Sequence, residues 1–270
     1  MADPNPLVSG RGFARLRAAG IEVQVGLGAA ESRELNIGFF SRMKRKIPWV
    51  RLKVAASLDG TTALHNGNSQ WITGEPARKD GHLWRARACA ILTGTGTILK
   101  DNPRLDVRLT ATARQPHVVV VDSQLQTPPN AAIFTEGRKV LIYTCNAQSA
   151  KAAALEARGA ILVNLPEVNH TNQPTGKVDL SAMLNDLAIK EINELHVEAG
   201  QTLNGALIQT GLVDEMVLYL APQILGTGAS IARIPEMTEL SDAKRLEFKS
   251  STMVGKDLRI IARMAGHEVF

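Results

Sequence analysis

Two cysteines, Cys89 and Cys145, are all that the 270 residues hold, which excludes a disulfide framework and a four-cysteine metal site. Both sit in apolar stretches, RACAILTG and VLIYTCN, where a free thiol acts as a small buried hydrophobe. Aromatic residues make up only 4%, too few to interleave with basic side chains as a platform for stacking bases. Nucleic acid is therefore not an expected partner, although 31 Lys+Arg against 26 Asp+Glu give a net charge of +5 and favour anionic ligands in general. No run approaches the roughly eighteen apolar residues of a membrane span. The opening MADPNPLVSG lacks the basic-then-apolar layout of a signal peptide, so a cytoplasmic protein without a membrane partner is expected. The six histidines, His65, His82, His117, His170, His196 and His267, form no i, i+4 pair and stand near no cysteine pair, so no metal is expected.

What is present is the composition of an ordinary globular protein, 44% hydrophobic and 21% charged, long enough to bury a sizeable core. From Trp49 onward, apolar strand-like runs alternate with stretches of helical spacing, which predicts an α/β architecture with helices flanking a mixed sheet. The strands expected are WVRLKVAAS, CAILTG, HVVVVD, KVLIYT, AILVNL, ELHVEAG, EMVLYLAPQIL, RLEFKSSTMV and DLRIIARM. The helices expected between them are EPARKDGHLWRARA, AQSAKAAALEARG, DLSAMLNDLAIKE and TLNGALIQTG. The last three strands are read as antiparallel, and EMVLYLAPQILG is apolar enough to suggest a homodimer contact. The tract VNHTNQPTGK reads as a polar loop. The first fifty residues read as a small αβα unit, with IEVQVG as its strand and ESRELNIGFFSRM as its second helix. KRKIP then looks like a Pro-terminated linker. A boundary there separates residues 1–46 from a main domain spanning 47–270.

Two glycine turns carry the sharpest chemical signal. In EAGQTLNGALIQTG, residues 198–211, an apolar strand ends in a glycine turn opening directly into a helix, which aims free backbone N–H groups and the positive helix end at an anion. Its spacing is not G-x-G-x-x-G, so a purely structural turn stays open. A second turn, TGTGTILKDNP over 93–103, also follows a strand; taken alone, Thr95-Gly96-Thr97 reads first as an ordinary helix cap. If the two strand tips converge, a phosphate-rich ligand lies beyond their carboxyl ends. Lys53 inside one apolar strand and Glu198 at the end of another are either a structural ion pair or a site that handles protons. Arg85 and Arg108 suit a phosphate, or are solvated surface arginines. Trp71, with Ser69 just before it, is either packing or a flat ring beside a ligand.

At VAASLDGTTA, NSQWITG, LTGTGTILKDNPRLDVR, VVVDSQ and VEAGQTLNGALIQTGLVDE, the chain closely resembles the reductase domain of the bifunctional riboflavin-biosynthesis deaminase/reductase. The ordered motifs run from about Trp49 to the C-terminus. The resemblance implies a dihydrofolate-reductase-like fold with an antiparallel C-terminal end. It also implies NADPH as cofactor and a small phosphorylated pyrimidine, 5-amino-6-(5-phosphoribosylamino)uracil, as substrate. Carried across motif by motif, Ala55, Trp71, Thr97, Asp101 and Ser123 would contact the dinucleotide, together with the run Gly200, Gln201, Thr202, Leu203, Asn204, Gly205 and Ala206. Ser69, Arg85, Leu105 and Arg108 would hold the phosphorylated substrate, with catalytic Lys53 and Glu198 near its reacting end. The leader, residues 3–23 and 31–43, looks like the closing stretch of the same family's deaminase domain. No H-x-E followed by P-C-x-x-C is present, so deaminase activity is expected to be absent from this chain. A pteridine reductase of the same fold and a catalytically idle NADPH-binding partner of an intact deaminase are the competing readings.

Overall fold

The computed structural model describes residues 2–148, 150–268 and 270. Ser149, inside the expected helix AQSAKAAALEARG, lies outside the described residues. The helices are α1 (Arg11–Ala18), α2 (Ala29–Leu35), α3 (Ile37–Arg45), α4 (Glu75–Arg87), α5 (Thr95–Asp101), α6 (Ala150–Glu156), α7 (Leu180–Ile189) and α8 (Gln201–Gln209). The strands are β1 (Trp49–Ser57), β2 (Thr61–Leu64), β3 (Ala90–Gly94), β4 (His117–Val121), β5 (Val140–Thr144), β6 (Ala160–Asn164), β7 (Pro166–Val168), β8 (Pro174–Val178), β9 (Glu194–Val197), β10 (Glu215–Ala221), β11 (Gly228–Ser230), β12 (Leu246–Val254) and β13 (Asp257–Met264).

Nine strands form one sheet in the order β12-β13-β10-β1-β9-β3-β4-β5-β6. From β10 to β6 every neighbouring pair is parallel, whereas β13 runs antiparallel to both β10 and β12. This is the mixed, helix-flanked sheet with an antiparallel C-terminal end expected of a dihydrofolate-reductase-like fold. The central strands are near-continuous apolar runs because helices cover both of their faces. On one face Val50, Leu52, Val54 and Ala56 of β1 pack with Leu195 and Val197 of β9 and with Leu184 of α7 and Leu207 of α8. On the other, Ile91 of β3 packs with Val118 and Val120 of β4, Ile98 of α5 and Leu155 of α6, while Ala77 of α4 packs on Val217 and Tyr219 of β10.

Several expectations need correcting. Residues 21–26 (IEVQVG) form no strand: they lie along no sheet edge that could take their backbone N–H and C=O groups. The single helix expected over 31–43 breaks at Asn36 (φ −112°) into α2 and α3. None of residues 2–36 is buried, whereas Ile37 and Phe40 of α3 are. Helix α3 docks on the sheet through Gly38, where a Cβ would clash with the backbone of Asn193, and through Arg45, whose guanidinium meets Asp214 at 2.7 Å. The polar tract 168–177 is not wholly loop, since β7 and β8 pair across it. Strand β10 has both edges taken, by β1 and β13, so it offers no edge to a second copy. The exposed apolar side chains at that end are on edge strand β12, with Phe248 79% and Met253 60% exposed. No helix among the described residues is long and apolar enough to cross a membrane.

Candidate active site

Strand β3 ends at Gly94 and turns into α5; β9 ends at Val197 and turns through 198–200 into α8. The two strands are parallel neighbours, pairing Ala90 with Leu195 and Leu92 with Val197. Their following helices depart to opposite faces, α5 packing with Ile91 and α8 with Leu195. Adjacent tips from which the chain diverges to opposite faces leave a crevice beyond the carboxyl ends, where ligands of open α/β sheets bind. The two glycine turns meet there: a Cβ added at Gly94 would stand 3.5 Å from Leu203 Cδ2. One added at Gly96 or Gly200 would meet nothing within 4 Å, so the backbone is open to close approach at both turns.

Charge is layered along the face of β1 that α4 covers. Deepest is Arg51, 1% exposed, whose guanidinium meets Glu194 at 2.7 Å and Glu215 at 2.5 Å and stacks 4.7 Å from the Trp84 ring. Its charge is fully answered, which makes it structural. Two residues on, nearer the tips, Lys53 reaches toward the Tyr219 ring, Nζ 5.9 Å from its centroid, and forms no ion pair among the described residues. Burial pulls the Lys53 ammonium below its ordinary pKa; Glu198 works against this and Arg85 with it.

The alternative of a Lys53–Glu198 ion pair is not what the structure contains. Glu198 is gripped by Arg85, Nε to Oε1 at 2.5 Å and Nη2 to Oε2 at 2.8 Å, a bidentate fork that a lysine could not form. Burial pushes the Glu198 carboxyl up, but the Arg85 charge and hydrogen bonds, with His196 and Lys53, hold it well below the usual carboxylate range. Arg85 and Glu198 thus stand together, because α4 crosses the sheet over the tip of β9. From the same guanidinium, Nη1 donates to the Asp106 carbonyl at 3.0 Å. Arg108, its side chain 48% exposed, meets the Asp106 carboxylate at 2.5 Å. Glu198, Arg85 and Arg108 are therefore joined through Asp106 into one chain of contacts, and Lys53 stands outside it but near enough to feel the charges of Glu198 and Arg85.

The remaining positions divide. Ser123 follows the tip of β4, and Thr95 ties α5 to that tip by donating to the Val121 carbonyl at 2.9 Å. Thr97 lies in the first turn of α5, and Ala55 lies on the Lys53 face of β1 opposite Tyr219. Ser69 is half-buried, on a segment whose preceding turn abuts α5 where Lys100 Nζ would stand 3.0 Å from a Cβ at Gly67. Trp71 is 67% exposed with the Arg78 guanidinium 4.4 Å from its ring centroid, so it is no core residue. Gly200, Gln201, Thr202 and Leu203 stand at the start of α8, followed by Ala206 in its second turn. Asn204 and Gly205 face inward: Asn204 donates to the Ile231 carbonyl at 2.8 Å, and a Cβ at Gly205 would lie 2.0 Å from the Arg233 oxygen. Leu105 is buried, its side chain in the core with Ile98, which leaves only its backbone for a ligand. Asp101 is exposed at the far end of α5. An open cavity of about 250 Å³ beside the C-terminal end of α8, lined by Ile208, Ile234 and Met237, contains none of these residues.

Sequence reasoning passed over His82 and His196. His82 lies three residues before Arg85 on α4, a spacing that puts both on one helix face, and its Nε2 stands 3.5 Å from Arg85 Nη1. His196 is fully buried two residues before Glu198 on β9, hence on the same sheet face. Its Nε2 is 3.3 Å from Glu198 Oε1 without completing a hydrogen bond.

Comparison with known families supplies the class. The RibD C-terminal domain model matches residues 48–260. The chain belongs to this family. RibD reductase relatives of high similarity include the riboflavin biosynthesis protein RibD of Escherichia coli, 39% identical over 262 residues, covering 96% of this chain and 71% of that protein. Among solved structures, Acinetobacter baumannii RibD superposes with a TM-score of 0.84 at 33% identity, over 98% of this chain and 71% of that one. A Thermotoga maritima diaminohydroxyphosphoribosylaminopyrimidine deaminase/5-amino-6-(5-phosphoribosylamino)uracil reductase gives 0.82 at 26% identity, over 97% and 69%. The fold around the glycine turns is thus that of a riboflavin-biosynthesis reductase domain.

Proposed function

We propose that this chain reduces 5-amino-6-(5-phosphoribosylamino)uracil to 5-amino-6-(5-phosphoribitylamino)uracil with NADPH. The observation that carries the reading is the placement of Lys53 and the Arg85–Glu198 pair on the sheet face beside two touching, open glycine turns. The residues suit the cofactor: Gly96 and Gly200 leave space where a side chain would intrude, the α8 N-terminus offers unbonded N–H groups to a pyrophosphate, and Ser123 stands at the neighbouring tip. When bound, NADPH supplies the hydride that adds to C1′ of the opened sugar.

This chain's residues then do the rest. Arg108 and Ser69 hold the phosphate, and that remote binding energy orients the reacting end. The Glu198 carboxyl, held ionised by Arg85, is no proton donor. Lys53 carries the proton instead and gives it to the sugar ring oxygen as the C1′–O bond breaks, which leaves that oxygen as the 4′-hydroxyl and opens C1′ as the C=N carbon that accepts the hydride; its lowered pKa makes it the stronger acid. The same reading takes residues 1–46 as the closing stretch of a deaminase domain and 47–270 as the reductase. It gives the chain a homodimer partner across the exposed edge of β12, so that Phe248→Glu reduces the sedimenting mass.

The test is direct. Purified chain mixed with NADPH and the phosphoribosylaminouracil should consume reduced nicotinamide and yield a product heavier by two hydrogens in mass spectrometry. Consumption with dihydrofolate but not with this substrate would overturn the reading in favour of a pteridine reductase.

A further inference from the structure

Residues 102–108 adopt no helix or strand, so the backbone polar groups of this segment must find partners elsewhere. Four side chains supply them. Arg138 donates to the Leu105 carbonyl at 2.7 Å, and Arg85 to the Asp106 carbonyl at 3.0 Å. Gln115 brackets Val107, accepting from its N–H at 2.8 Å and donating to its carbonyl at 2.9 Å. Last, the Arg108 N–H donates to His82 Nδ1 at 3.1 Å, with the Leu109 N–H 3.5 Å from the same nitrogen. Leu105 adopts a left-handed φ of 49°, a conformation that persists only where its surroundings enforce it.

His82 is 5% exposed. Accepting at Nδ1 requires a lone pair there, which assigns the single ring proton to Nε2 and keeps the imidazole neutral. Burial, reinforced by the charges of Arg85 and Arg108, pushes its pKa down to about 4 and maintains that state. Helix α4 therefore grips the segment twice from one face: Arg85 holds Asp106 and His82 holds Arg108.

We infer that His82 is a positioning residue that fixes the main chain at Arg108 and so aims the Arg108 guanidinium at the substrate's phosphate. The inference rests on the substrate reading above for its kinetic consequence, but not for its structural one.

The distinguishing variants are His82→Asn, whose Oδ1 keeps an acceptor near the place of Nδ1, and His82→Leu, which keeps bulk without an acceptor. In His82→Leu, amide exchange over residues 104–110 should quicken while the β12–β13 hairpin exchanges as in the parent. KM for the phosphorylated substrate should rise about tenfold, the loss of one hydrogen bond's net contribution, with kcat changed less than about twofold. His82→Asn should restore both. Parental exchange in the leucine variant, or equal impairment of the two variants, overturns the inference and leaves His82 as packing. A parent chain that does not turn over the phosphorylated substrate overturns the substrate reading instead, and the exchange result still decides the role of His82.

Discussion

Arg85 holds Glu198 by both edges of its carboxylate, at 2.5 and 2.8 Å, so neither residue can be altered without stranding the other. Glu198→Gln keeps the shape and an acceptor but removes the charge that offsets Arg85 and Lys53. Its turnover should fall on the order of 10²-fold, the scale of a disturbed proton-transfer group, while the chain still folds. Steady-state reduced-nicotinamide consumption together with thermal unfolding checks both halves. Parental turnover would reduce the pair to scaffolding.

Lys53→Met retains the buried stem and deletes the proton. The expected loss in kcat is 10²- to 10⁴-fold, with the NADPH dissociation constant unchanged. An acid must be protonated to act, so the parental kcat falls as pH rises through the Lys53 pKa. Burial sets that alkaline limb below an ordinary lysine's. The limb should vanish in the variant; its persistence would assign the proton to another group.

Arg108 and Arg85 separate binding from stability. Arg108 is half-exposed and bound to one carboxylate, so Arg108→Ala should cost about 1.5–3 kcal/mol in kcat/KM, the range of a charge-assisted hydrogen bond, with little change in Tm. Arg85→Ala leaves Glu198 unpaired in a largely buried place and should lower Tm as well. Equal melting of the two variants would refute this division.

Gly200 and Gly205 should respond oppositely to alanine. At Gly200 the added Cβ meets open space, so the fold is unaffected and only cofactor affinity declines. At Gly205 it would lie 2.0 Å from the Arg233 oxygen, and overpacking of that kind costs about 1–3 kcal/mol. Chemical denaturation of both, beside NADPH titration, reads the difference.

Stability should weaken toward acid through His82. Its folded pKa is about 4, against roughly 6.5 in an unfolded chain. Below pH ~6.5 the unfolded chain takes up a proton that the folded one refuses, so the contribution is complete above that pH and is lost as pH falls toward about 4. Burial lowers His196 in the same direction. His82→Asn should flatten part of this decline in urea midpoints measured across the window, and an unchanged slope would disprove it.

The sequence announced the strands that carry the site because their apolar runs are uninterrupted and each ends in glycine or a polar residue. It announced the two glycine turns for the same reason, since the glycines at 94 and 200 close such runs, but that the turns meet was only a condition until the pairing of β3 with β9 fixed it. It did not announce that Arg85 belongs to Glu198, because 113 residues separate them and only the crossing of α4 over β9 joins them. Arg51 was invisible as a partner of Glu194 and Glu215 because ion pairs between strands leave no local periodicity. The apparent strand IEVQVG failed on the same ground in reverse, since alternation supplies a face but not a neighbouring edge.

The position of β9 has a kinetic consequence. It lies between β1 and β3 and pairs with both, yet it is made of residues 194–197. A growing chain emerging from the ribosome holds β1 on one side and β3-β4-β5-β6 on the other, two unjoined halves with raw inner margins, until that short wedge arrives, and β10, β12 and β13 are made later still. The two halves can be joined only by contacts spanning more than a hundred residues, the non-local kind that slows folding. Any chain ending before Val197 would carry those margins permanently and is predicted to aggregate rather than to remain a smaller working reductase.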